Sequence, residues 1–171
     1  MKNKVLAFVG DGEGKTSAAI GHAIRSEGHN KKTAIIQFLK GNRPTGEHSF
    51  LHDKGIEIHH FGLASFIYKD TDKTPHIAKA QEGLALAKQL IESNKYFLII
   101  LDEILDAVAL DLIPQKELES LIGSQNISSH IIITGRIIPP ELSTKVYLIT
   151  KFQKIKHYYD KGEKGIEGLD W

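Results

Sequence analysis

"KVLAFVGDGEGKTSAAIGHAIRSEG", residues 4–28, decides the fold. It opens on a short apolar run of strand character, residues 4–9, and closes on a helix, residues 17–28, ended by Gly28. Between them lies a glycine-rich turn that finishes in Gly14-Lys15-Thr16. A buried strand turning through glycines into a helix can hold a phosphate group. The loop amides and the helix N-terminus point at the anion, a lysine neutralises charge, and a hydroxyl binds Mg²⁺. Gly10, Asp11, Gly12, Glu13, Gly14, Lys15, Thr16 and Ser17 are the candidate residues. The usual spacing places a glycine five positions before the glycine of Gly-Lys-Thr. Here that position is Val9, and the first glycine comes one residue late, at Gly10. The plainer reading is a turn that only links strand to helix.

The rest of the chain repeats the alternation. Residues 33–38, 56–61, 96–101, 130–135 and 145–150 are short Val- and Ile-rich runs that read as strands, several of them apolar on both faces. Helices are expected over 74–93, 104–112 and 114–123. In the first of these, Thr74 is the expected N-cap and Pro75 the first helical residue, with Ile77, Ala80, Leu84, Ala87 and Ile91 at helical spacing. The pattern predicts a doubly wound α/β fold of the P-loop NTPase, RecA-like kind. Its sheet is mostly parallel, of about six strands, with helices on both faces. One nucleotide-binding domain is expected over 1–171, with 151–171 as an extended C-terminal tail. Residues 39–55 and 62–73 are expected to be long connections without secondary structure, a type that usually carries function.

In such a sheet the carboxyl ends of the strands line the ligand crevice. Asp102 and Glu103 end one strand, Gln37, Lys40 and Glu47 follow another, and Arg136 follows a third after Thr134 and Gly135. An acidic pair there suits a magnesium–nucleotide site, and equally an acidic helix cap. The other two groups suit ribose or phosphate, and equally a solvated loop and a surface arginine. On the loop and acidic pair alone, the reading is an ATP hydrolase.

Composition narrows the classes. A formal net charge of +1 gives no global drive toward nucleic acid or anionic lipid. Absence of cysteine excludes disulfides, thiol nucleophiles and zinc–cysteine sites. The apolar run near the start passes straight into glycines and does not read as a signal peptide. No stretch reaches the roughly 18 apolar residues of a membrane span, so a cytoplasmic protein is expected. The nine histidines show no metal-ligand spacing, and His59 and His60 point to opposite faces of their strand.

Taken in order, "GDGEGKTSAAIGHAIRSEG", "QFLKG…GE", "LDEI", "ITGR" and "KHYYDKG…GIEGLDW" resemble the P-loop ATP:corrinoid adenosyltransferases, over nearly the whole chain. In that family the late first glycine is itself the pattern. The resemblance implies transfer of the 5′-deoxyadenosyl group of ATP to the Co(I) of a corrinoid, with release of triphosphate, in adenosylcobalamin biosynthesis or salvage. It implies catalytic roles for Lys15, Thr16 and Glu103, and Mg²⁺ held by Thr16 with Asp102 or Glu103. It also implies nucleotide contacts from the loop, Gln37, Lys40, Glu47 and Arg136, and an aromatic cover on the lower corrin face from Phe66 and Tyr68. A homodimer and a flavodoxin or reduced-flavin electron donor are implied as partners. The chain departs from the family pattern at Glu13, where a lysine is common, at Ser65 for glycine, at Phe97 for an acidic residue, and at Tyr147 and Lys151 for an Asp and a Glu. A small P-loop NTPase or metabolite kinase, and a non-catalytic nucleotide- or corrinoid-binding relative, are the other readings.

Overall fold

A computed structural model describes residues 3–41, 45–65, 67–68, 70–124 and 127–169. Six strands form one sheet: β1 (Val5–Val9), β2 (Thr33–Phe38), β3 (Glu57–Phe61), β4 (Leu98–Asp102), β5 (His130–Gly135) and β6 (Leu148–Lys151). Their order is β3-β2-β4-β5-β1-β6, and every pairing is parallel. The helices are α1 (Lys15–Gly28), α2 (Gly46–Asp53), α3 (Thr74–Glu92), α4 (Ile104–Ala109), α5 (Gln115–Gly123) and α6 (Pro140–Ser143), followed by a short 3-10 turn at Tyr158–Lys161.

The two-residue period of the strands builds two cores. Val5, Ala7 and Val9 of β1, Ala34, Ile36 and Phe38 of β2, Ile99 and Leu101 of β4, and Ile131 and Ile133 of β5 face α3, α4 and α5. The alternate residues Phe8, Ile35, Leu98, Ile100 and Ile132 face Ala19 and Ala23 of α1 and Leu51 of α2. Strands apolar on both faces therefore need helices on both faces, and the doubly wound α/β fold follows. β2 is buried along its whole length, whereas the edge strands are half-buried (β3) or exposed (β6). No helix among the described residues is long and apolar enough to cross a membrane.

Several local expectations need correction. The 39–55 connection contains α2, whose eight residues bury only Leu51, too few to leave a periodic signal. α1 does end at Gly28, but as its last helical residue; the left-handed residue beyond it is Asn30 (φ 55°). α3 starts one residue early: Lys73 is the cap, and Thr74 is already helical. Its apolar stripe runs through Ala80, Gly83, Leu84, Ala87, Leu90 and Ile91, which leaves Ile77 at the rim, 38% exposed, and places His76 inward. β4 begins two residues late and ends on Asp102. β6 occupies 148–151 rather than 145–150, after the unexpected α6.

With all strands parallel, all carboxyl ends lie at one edge of the sheet. Residues 10–14, 39–41, 62–65, 103, 136 and 152 leave their strands there, so that edge gathers nearly every candidate residue.

Two helical glycines separate packing from propensity. Gly21 lies exposed in α1 with open space where a side chain would go, so Gly21→Ala should raise stability by about 0.5–1 kcal/mol. A Cβ on Gly83 would lie 2.8 Å from the Phe38 ring and 2.9 Å from that of Phe61. Gly83→Ala should cost about 1–3 kcal/mol. Urea unfolding of the two variants checks both signs.

Candidate active site

The glycine loop is shaped by two neighbours. Gly10 adopts φ 123° and Gly14 φ 99°, both in the left-handed half of conformational space that only glycine enters cheaply. The Gly10 amide donates to the Arg136 carbonyl (2.9 Å), tying the loop to the end of β5. On the other side the chain leaving β6 lies directly against it. A Cβ on Gly10 would sit 2.1 Å from the Phe152 carbonyl oxygen, and one on Gly12 2.8 Å from the Gln153 carbonyl carbon. Gly12 N–H donates to that same Phe152 carbonyl (2.9 Å), and Lys154 N–H donates to Asp11 Oδ1 (3.2 Å). These backbone contacts hold Asp11 ionised, below the usual carboxylate range. Lys15 is folded back, its Nζ donating to the Gly12 carbonyl (2.6 Å). Gly14 caps α1 with no side chain over the helix end.

Asp102 is the centre of the site. Its carboxylate, 1% exposed, accepts from Thr16 Oγ1 (2.9 Å), Thr134 Oγ1 (2.8 Å) and Gln37 Nε2 (3.0 Å), and pairs with Lys40 Nζ at 3.1 Å. The register explains the convergence, because Gln37 on β2 lies directly across from Asp102 on β4. Glu47 is 4.0 Å from the same Lys40. Burial pulls the Lys40 ammonium down, but Asp102, Glu103 and Glu47 outweigh it and hold the group above its ordinary value. Glu103, at φ 61°, begins α4, and its amide donates to Thr134 Oγ1 (2.8 Å). Burial, with Asp102 and Asp106 nearby, pushes its carboxyl up to about 7 against the pull of Lys40 and Lys15. The arrangement can hold a polyphosphate between Lys15, the loop and the start of α1. Thr16, Asp102 and Glu103 supply hard oxygen atoms at this end of the sheet.

The match of the whole chain, residues 1–171, is to the family described as ATP:corrinoid adenosyltransferase BtuR/CobO/CobP. The chain belongs to this family. It is 30% identical over 167 residues to the Corrinoid adenosyltransferase of Escherichia coli (strain K12), covering 98% of this chain and 85% of that one. It is 29% identical over the same length to the Corrinoid adenosyltransferase CobA of Salmonella typhimurium, again covering 98% and 85%. To the Corrinoid adenosyltransferase of Pseudomonas aeruginosa it is 29% identical over 168 residues, covering 98% and 83%.

Against the corrinoid adenosyltransferase pattern, the residues named from sequence divide into two groups. Lys15, Thr16, Gln37, Lys40, Glu47, Asp102 and Glu103 are brought together by the contacts above. Ser17 is exposed on α1, and the Arg136 side chain is exposed while its amide donates to Asp106 Oδ1 (2.9 Å). Tyr68 is 71% exposed, with its amide donating to Thr71 Oγ1 (2.8 Å). Phe66 lies outside the described residues.

Sequence reasoning did not single out Phe152, His157, Asp106 or His60. Asp106 accepts the Arg136 amide one helical turn after Glu103, a spacing that could have marked it. His60 lies in register beside Gln37. Both its ring nitrogens, and Gln37 Oε1, are buried without a hydrogen-bond partner, under the ring of His48 at 4.5 Å. Burial, with His48 and Lys40 nearby, holds His60 below its ordinary value. Only the strand register reveals that neighbour.

The raised Glu103 pKa has a stability consequence. Its folded value of about 7 exceeds the ordinary 4.5, so the folded state binds the proton more tightly. Stability contributed by that proton is present at low pH and lost as pH rises from about 4.5 through about 7. Glu103→Gln should therefore match the wild type near pH 4 and exceed it by about 1–3 kcal/mol at pH 8, in urea unfolding with a chelator present. Equal stability at pH 8 would mean that the carboxyl is not a buried charge.

Proposed function

We propose that this chain transfers the 5′-deoxyadenosyl group of ATP to the Co(I) of a corrinoid, in the making or salvage of adenosylcobalamin. The observation that carries the proposal is the loop Gly10–Ser17 anchored through Thr16 to Asp102, in a chain that belongs to the adenosyltransferase family from end to end. In the reaction a cobalt–carbon bond forms at C5′, the C5′–O5′ bond breaks, and its electron pair leaves with inorganic triphosphate. The attacking Co(I) brings a lone pair and has no proton to lose, so no general base is needed. The protein's work is positioning and neutralising the leaving triphosphate.

On this reading Lys15 swings from the Gly12 carbonyl onto the phosphates, while the loop amides and the start of α1 hold them. Thr16 with Glu103 or Asp102 would hold Mg²⁺, which supplies charge neutralisation of the triphosphate. Among the described residues no group of three or more His, Asp or Glu side chains makes a metal cage. That fits an ion shared with phosphate oxygens, as magnesium usually is. Lys40, Gln37, Glu47 and Arg136 line the crevice for ribose and phosphate, and Phe66 and Tyr68 cover the lower corrin face. We take residues 1–171 as one nucleotide-binding domain with 151–171 as its tail, working in the cytoplasm as a homodimer with a flavodoxin or reduced-flavin electron donor. No observation among the described residues favours an NTPase, a kinase or a non-catalytic binder instead.

The test is anaerobic. Mg-ATP and chemically reduced cob(I)alamin are mixed with the protein while the corrinoid spectrum and the phosphate product are followed. Adenosylcobalamin with intact triphosphate is the expected result, and orthophosphate without a corrin change would overturn the reading. Lys15→Ala should lower turnover by about 10²–10³-fold with unchanged unfolding behaviour.

A further inference from the structure

The tail does more than pack on the loop, because it brings a histidine to the loop's crown. His157 Nδ1 accepts the Tyr159 amide (3.1 Å), which fixes the ring proton on Nε2. That Nε2 lies 3.7 Å from Glu13 Oε2. Glu13 stands between Gly12 and Gly14 on the loop. A carboxylate there opposes an incoming polyphosphate unless a donor answers it. Two nearby cationic side chains are otherwise engaged: Lys15 on the Gly12 carbonyl, and Lys154 on Asp160 at 2.8 Å. His157 therefore faces the Glu13 carboxylate across a gap longer than a hydrogen bond, on the open side of the loop. Glu13 itself is half-exposed, 52%, and free to turn to solvent.

We propose that His157 is a further phosphate-binding residue, whose Nε2 faces Glu13 at 3.7 Å in the free protein and donates its proton in a hydrogen bond to the terminal phosphate of bound triphosphate. Glu13 is then an anionic placeholder, displaced as the phosphate arrives. This rests on the phosphate-loop reading above. It adds a donor that comes from the far end of the chain, and a carboxylate that competes with the ligand for it. The tether is the packing already described: the Phe152 carbonyl on Gly12, Lys154 on Asp11, and the Phe152 ring 3.6 Å from where a Cβ of Gly14 would be.

Two substitutions separate the donor from the cap. His157→Asn keeps a short acceptor for the Tyr159 amide, since asparagine is a good cap, but removes the Nε2–H. His157→Gln keeps a donor near Nε2 and loses the cap geometry. Calorimetric titration with Mg²⁺ and inorganic tripolyphosphate reads binding without turnover. Expected are about tenfold weaker binding for His157→Asn, near wild-type binding for His157→Gln, and severalfold tighter binding for Glu13→Gln. Wild-type affinity in His157→Asn, with or without a loss in His157→Gln, would overturn the proposal and leave the histidine as a cap alone. If the wild type binds neither tripolyphosphate nor Mg-ATP, the phosphate-loop reading falls first and this inference with it.

Discussion

A carboxylate buried at the end of a parallel strand must be answered by donors, because an unpaired buried charge costs several kcal/mol. Asp102 is such a group, and its donors come from four different parts of the chain: Thr16 on α1, Gln37 on β2, Lys40 beyond it, and Thr134 on β5. Satisfying Asp102 therefore sets where α1 crosses the sheet and how the segment after β2 folds back over the crevice. The same four contacts place Thr16 and Lys40 at the mouth of the glycine loop. Folding and assembly of the site are, at this residue, one event.

The late glycine has a physical cause as well as a family resemblance. A phosphate-holding loop needs backbone freedom and exposed amides. This loop must also accept the chain that leaves β6, which approaches so closely that neither Gly10 nor Gly12 can carry a Cβ. The Gly12 amide is given to Phe152. The spacing of glycines thus records two partners, one on each side of the loop. The residues after β6 work as a strap that fixes its outer wall, and the tail belongs to the site as much as Thr16 does.

Much of this was legible in the order of residues. β2 falls on residues 33–38 as read, because a run buried on both faces has no competing interpretation. The sheet-edge residues Gln37, Asp102, Glu103 and Arg136 follow from strand ends in a parallel sheet. What was not legible lacked either periodicity or locality. α2 buries a single leucine, and β6 is exposed throughout, so neither leaves a clear apolar pattern. Glu13 and His157, or Asp11 and Lys154, are joined across the length of the chain, where no spacing rule reaches. His60 beside Gln37 is a matter of register, which needs the strand order first.

The charge inventory around the loop is unusual for a place meant to receive a polyanion. Asp102, Glu103, Asp106 and Glu13 stand against Lys15 and Lys40, with Arg136 and His157 at the margin. Burial raises the carboxyls of Glu103 and Asp106 above their ordinary values, which eases the excess of negative charge in the free site. A triphosphate entering such a site needs cations to come with it. On the proposed reaction, Thr16 with Glu103 or Asp102 would hold a magnesium ion that supplies positive charge beside the triphosphate, and Lys15 would turn from its carbonyl to the phosphates. The carboxylates that hold the crevice together oppose a bare anion, and a metal-bound triphosphate would meet less of that repulsion.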